Sequence, residues 1–100
     1  MTALAEWLDR HTGAAPAALR ARVMEHALRA AAEPLPAALA EAAREALGRV
    51  VAHPGDRSVA LDLLAADALI TLALLAQAQR APGELAEFAT AMLQAVRPGM

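Results

Sequence analysis

Hydrophobic residues recur along the chain at intervals of three and four positions, and proline and glycine interrupt this pattern at a few places. Such spacing puts the apolar side chains on one side of a helix. The interruptions lie around Gly13 and Pro16, at Pro34-Leu35-Pro36, at His53-Pro54-Gly55-Asp56 and at Pro82-Gly83. No segment alternates with the period of two that marks a half-buried strand. The pattern therefore predicts an all-α protein.

The interruptions divide the chain into five predicted helices. The first is short and ends at Gly13, the second runs from Pro16 to about Glu33, the third follows Pro36 to about Ala52, the fourth is capped by Asp56 or Ser58 and runs to about Arg80, and the fifth follows Pro82-Gly83. No linker is long enough to divide the chain. We expect one domain over residues 1–100, folded as a compact antiparallel helical bundle of four main helices plus a short N-terminal helix.

The second helix has the ordinary pattern of a surface helix. Its predicted inner stripe is Leu19, Val23, Ala27 and Ala30, widened by Met24 and Leu28. Charged residues, including Arg22, Glu25 and Arg29, are predicted to lie on the opposite face, at spacings that permit ion pairs.

The fourth helix differs because apolar residues surround it on nearly every side. A helix that is apolar all round is expected to be buried all round. Two arrangements satisfy this: a central helix wrapped by the other four, or a helix with one face on the core and another on a second copy. The other helices offer mostly alanine, so we expect both. The predicted interface residues are Leu63, Ile70 and Leu74, with Trp7 as a further candidate unless it packs onto its own domain.

Composition narrows the range of functions. The 100 residues are 58% hydrophobic, carry a net charge of −2 and include no cysteine. A slightly negative net charge gives no electrostatic attraction to nucleic acid or to an anionic membrane. Every basic residue is arginine, as is typical of a GC-rich genome, and the fourth helix resembles helices of small bacterial proteins. The apolar piece over residues 68–76, interrupted only by Thr71, is far shorter than the ~20 residues that span a bilayer. No secretory signal is visible, so we expect a cytoplasmic protein.

Asp62 and Asp67 are the polar residues of greatest interest because they lie in the most apolar helix. Five residues apart, they project about 140° from each other and do not converge. If buried, each needs a partner or takes up a proton; the alternative is that they are solvated. His11, His26 and His53 have no metal-ligand spacing, and Ser58 lacks a nucleophile elbow. No cofactor, metal or catalytic residue is predicted.

The sequence accordingly favours a non-enzymatic interaction module that forms a homodimer, or docks on a protein partner, through the fourth helix. A bundle that binds a small apolar ligand, oriented by Asp67 or an arginine, is one alternative. A helix-turn-helix built from the second and third helices is a weaker one, because acids on the third helix repel phosphate. An enzyme using Asp67, His26 and an arginine is the least supported.

Overall fold

The computed structural model describes residues 3–30, 33–53 and 55–96, and over these residues the protein is all-α with no strand. The elements, in chain order, are α1 (Ala3–His11), α2 (Ala17–Arg29), α3 (Leu35–Ala52), α4 (Arg57–Arg80) and α5 (Leu85–Val96), with a single 3₁₀ turn at Pro82–Glu84 before α5. The predicted helical bundle is confirmed.

The helix ends follow local chemistry. Asp56 caps α4, since its Oδ1 accepts a hydrogen bond of 3.0 Å from the backbone N–H of Ser58, as side-chain oxygens do at helix starts. The helix ends at Arg80, before Pro82, as predicted. In contrast, α2 ends at Arg29 and not near Glu33, because Ala30 adopts an extended conformation with ψ 129°. Further along, Pro34 disfavours helical backbone at Glu33, and the next helix, α3, begins at Leu35.

The long helix α4 is the central element, packing against α2, α3, α5 and the 3₁₀ turn and most extensively against α3. Its partner α3 presents small buried side chains to it, among them Ala42, Ala43 and Ala46, all at 0% exposure. Small side chains let two helix backbones approach closely. Leu39 of α3 and Leu69 of α4 are fully buried in the same core cluster.

Trp7 links α1 to the C-terminal end of α4. Its side chain is 7% exposed, and its Nε1 donates a 3.1 Å hydrogen bond to Oε1 of Gln79. The His11 ring stacks on it, with ring centroids 4.1 Å apart. Trp7 therefore packs onto its own domain, which is the alternative to an interface role that the sequence left open, because its partners within the chain bury it.

The predicted inner face of α2 is correct at Val23 and Ala27, which are buried, and wrong at two other positions. Leu28, expected inside, is 53% exposed. Arg22, expected outside, has a side chain only 23% exposed that reaches Asp62. The buried side of α2 is formed by Val23, His26 and Ala27, so the ion pair between Arg22 and Asp62 has shifted which residues face inward.

Candidate functional site

A carboxylate lies at the centre of the bundle. Asp62 of α4 has a side chain 1% exposed, so of the two alternatives that the sequence left open, burial and solvation, the structure has the buried one. Its Oδ1 accepts hydrogen bonds from Nη1 of Arg22 at 2.7 Å and from Nε2 of His26 at 2.9 Å. Nε of Arg49 lies 3.5 Å from its Oδ2. Arg22 and His26 come from α2 and Arg49 from α3, so the Asp62 side chain links α4 to both of these helices.

The spacing on α2 explains the arrangement. Arg22 and His26 are four residues apart, so they lie on the same side of the helix, one turn from each other. This places a guanidinium and an imidazole beside one point on α4. The sequence contains this signal, but nothing in it shows that Asp62 of a helix 36 residues further on faces the pair.

The pKa of Asp62 is held below its ordinary value. Burial opposes ionisation, but the hydrogen bonds from His26 and Arg22 and the positive charges of Arg22 and Arg49 outweigh it. An ionised carboxylate only accepts hydrogen bonds, so His26 Nε2 carries the proton in this contact. Nδ1 of His26 is buried and has no hydrogen-bond partner among the residues that the structure describes.

This buried cluster orients α4. The helix is apolar on all sides, so hydrophobic burial alone gives little preference for which side faces inward. An ionised carboxylate in an apolar core is costly unless it is paired, and pairing is satisfied only when Asp62 faces α2 and α3. Because Asp62 and His26 are each 1% exposed, the cluster offers no reacting group to solvent.

The second aspartate lies on the other side of α4. Asp67 is exposed, and it forms no ion pair within the described part of the chain. Asp67 is thus the solvated one of the two candidate buried acids, because the partners supplied by α2 and α3 turn Asp62 inward and leave the position about 140° away facing solvent. The structure therefore does not bring Asp67 and His26 together as a catalytic pair.

The exposed side of α4 forms a continuous, mostly apolar stripe, which we call the α4 face. Its members recur at helical spacing and are Ala60, Leu63, Leu64, Asp67, Thr71 and Leu75, flanked by Ile70, Leu74 and Ala78. Leu63 is 51% exposed, Leu64 56% and Leu75 38%. Of the three α4 residues predicted at an interface, Leu63 lies fully on this face, and Ile70 and Leu74 are half-buried at its edge.

Polar groups interrupt the α4 face at only two positions. Asp67 carries its only charge, and the hydroxyl of Thr71 donates a 3.2 Å hydrogen bond to the backbone oxygen of Asp67. At about 1.5 Å per residue, the stripe from Ala60 to Ala78 is roughly 27 Å long. An apolar stripe of this length, bare of neighbouring helices, is the kind of surface that marks an interaction site.

Two further properties of the described residues bear on function. No group of three or more histidine, aspartate or glutamate side chains is placed to hold a metal ion among them. By length and composition alone, Arg57–Arg80 is a helix that can cross a membrane, but 44% of its most apolar window is buried inside the protein, and the core helix of a globular domain has the same properties.

Comparison of the chain with protein-family models, with curated proteins and with solved structures found no match.

Proposed function

We propose that this protein is a non-enzymatic helical interaction module that forms a homodimer through the α4 face. The observation that carries the proposal is the uncovered apolar stripe on the central helix, with Leu63 and Leu64 more than half exposed at 51% and 56%. Soluble proteins rarely leave such a stripe bare, and a twofold dimer is the commonest way to cover it, because the same surface serves both subunits.

The layout of the α4 face suits an antiparallel second copy. Leu63 and Leu64 lie towards one end and Leu74 and Leu75 towards the other. If two α4 helices cross with the twofold axis between Asp67 and Thr71 on the α4 face, the leucines at one end meet those at the other end of the partner. The same register sets Asp67 opposite the Thr71 hydroxyl of the second copy; if this hydroxyl turns from the backbone oxygen of Asp67 in its own chain to the facing carboxylate, the new hydrogen bond offsets part of the cost of covering that carboxylate.

The size of the stripe sets the expected affinity. Completing the burial of a half-exposed leucine is worth about 1 kcal/mol, half the value for a fully exposed one. Leu63, Leu64 and Leu75 from two copies then contribute roughly 6 kcal/mol towards the cost of association. Because each copy offers only three exposed leucines on this face, the expected dimer is weak and reversible.

In this proposal α4 is the core helix of a cytoplasmic domain and does not span a membrane. Asp62 lies near the start of the apolar segment and is paired with Arg22 and His26, an arrangement formed by neighbouring helices of the same domain. A DNA-binding role gains no support from α3, because Arg44 is engaged by Glu41 and Arg49 by Asp62.

The test is sedimentation equilibrium across a concentration series reaching several hundred micromolar, on the native protein and two variants. Leu64→Glu places a charge in the middle of the α4 face. Val51→Glu is the matched control, because Val51 is 77% exposed and lies on α3. We expect native and Val51→Glu to move from monomer to dimer with rising concentration, while Leu64→Glu stays monomeric and helical. A native protein that remains at 10.4 kDa throughout contradicts the proposal.

A further inference from the structure

A groove separate from the α4 face runs between α1 and the adjoining ends of α2, α3 and α4. Its volume is about 890 Å³, within the range of roughly 300 to 1,000 Å³ that is typical of small-molecule sites. Its α4 residue, Arg80, projects about 160° away from the centre of the α4 face, so the two surfaces lie on different sides of that helix.

The lining of this groove is apolar along much of its length. Leu4, Trp7, Leu28 and Leu35 all line it. Leu28 is 53% exposed, although the pattern of α2 predicts it inside. The exposure of Leu28 therefore adds to an apolar wall that no other part of the described chain covers.

Two arginines line the same groove. Arg10 comes from the last turn of α1 and Arg80 from the last turn of α4. Within the described ranges neither of them forms an ion pair, whereas Arg20, Arg29 and Arg44 each pair with a carboxylate. Glu33 is the single acid in the lining, so the charged side chains there sum to +1 (two arginines less one glutamate).

We propose that this groove binds a long-chain carboxylate, with the aliphatic tail along the leucines and Trp7 and the carboxylate on Arg10 and Arg80. Apolar side chains favour the burial of an alkyl chain, because apolar surface on both is removed from water. Guanidinium groups present a planar fork of donors that matches a carboxylate, and such charge-assisted hydrogen bonds are among the strong ones. A cationic amphiphile of the same length gains the tail contacts but meets two like charges.

Trp7 makes the proposal directly measurable, since it is the only tryptophan in the chain and lines the groove. The native protein is titrated with dodecanoate and with dodecyltrimethylammonium, both below their micelle concentrations. Binding is followed by Trp7 fluorescence and independently by calorimetry. We expect saturable binding of dodecanoate at one site, and binding of the cation weaker by about tenfold or more, given the strength of charge-assisted hydrogen bonds.

Variants locate the carboxylate. The double variant Arg10→Gln, Arg80→Gln is expected to weaken dodecanoate binding by about tenfold or more, and Glu33→Gln to strengthen it. Arg57→Gln is the matched control, because Arg57 is an exposed arginine at the opposite end of α4, and its binding is expected to equal that of the native protein. Equal affinity for the two amphiphiles, equal loss in the double variant and in Arg57→Gln, or no saturable signal overturns the proposal.

Discussion

Replacing Asp62 by asparagine tests the role of the buried carboxylate, because the substitution removes the charge and keeps the shape. The amide oxygen can still accept one hydrogen bond, but the attraction to Arg22 and Arg49 is lost and His26 keeps a buried ring with a weakened partner. The short contacts at risk are those of 2.7 Å to Arg22 and 2.9 Å to His26.

The expected loss follows from these contacts. Removing one partner of a buried ion pair costs about 3 to 5 kcal/mol when the remaining charge stays buried. Here the side chains of Arg22 and Arg49 are 23% and 48% exposed, so both can regain water, which lowers the cost. We therefore expect Asp62→Asn to reduce the free energy of unfolding by about 2 to 4 kcal/mol, a large part of the roughly 5 to 15 kcal/mol of a small domain.

The measurement is urea unfolding followed by far-UV circular dichroism, at a protein concentration low enough to keep the proposed dimer dissociated, because association of subunits shifts apparent stability. Asp67→Asn is the matched control, since it makes the same change five residues further along the same helix, on the exposed side. Surface substitutions of this kind change stability by about half a kcal/mol or less. If Asp62→Asn costs no more than Asp67→Asn, the buried cluster does not stabilise the fold and the argument that it orients α4 fails.

Three further predictions follow from the same structure. Because the pKa of Asp62 is depressed on folding, the stabilisation of the fold by this carboxylate is fully present above the unfolded pKa of about 3.9 and is lost as the pH falls through the lower folded pKa. The difference in unfolding free energy between native and Asp62→Asn, measured by urea unfolding, should therefore be constant from about pH 5 to 7 and shrink below about pH 4. A difference that grows on acidification contradicts this. Gly48 lies inside α3 with nothing within 4 Å of an added Cβ, whereas Gly55 has φ +88°. In thermal melts Gly48→Ala should therefore stabilise the protein by about 0.5 to 1 kcal/mol and Gly55→Ala should destabilise it. The opposite pair of effects would contradict both predictions. Trp7→Ala should cost about 3 to 5 kcal/mol in the same melts, as other buried tryptophans do, and a neutral effect would show that α1 is not fastened through Trp7.

Much of the architecture was predictable because local signals specify it. Proline and glycine set the ends of α3 and α4 to within a residue or two, and the apolar circumference of α4 indicated a central helix. The end of α2 was not predictable, because Ala30 has no local feature that stops a helix, and the path of the chain into α3 decides where it turns.

The candidate sites were less predictable, for a physical reason. The orientation of an all-apolar helix depends on what its neighbours present, so the choice between Asp62 and Asp67 as the buried acid rests on Arg22 and His26 of α2. Their spacing of four residues was the one available signal. The groove was not predicted because Arg10, Leu28 and Arg80 come from three helices whose ends meet only in the folded chain.

Cross-linking tests most directly the proposal that the α4 face lies between two copies. The chain has no cysteine, so each variant carries one defined thiol. Thr71→Cys and Thr90→Cys form a matched pair, since both threonines are exposed and each donates a hydrogen bond to a backbone oxygen four residues earlier. With a short bismaleimide, Thr71→Cys is expected to yield a covalent species of twice 10.4 kDa and Thr90→Cys little. Equal cross-linking at the two positions, or none at Thr71→Cys in a sample shown to be dimeric, contradicts an interface formed by the α4 face.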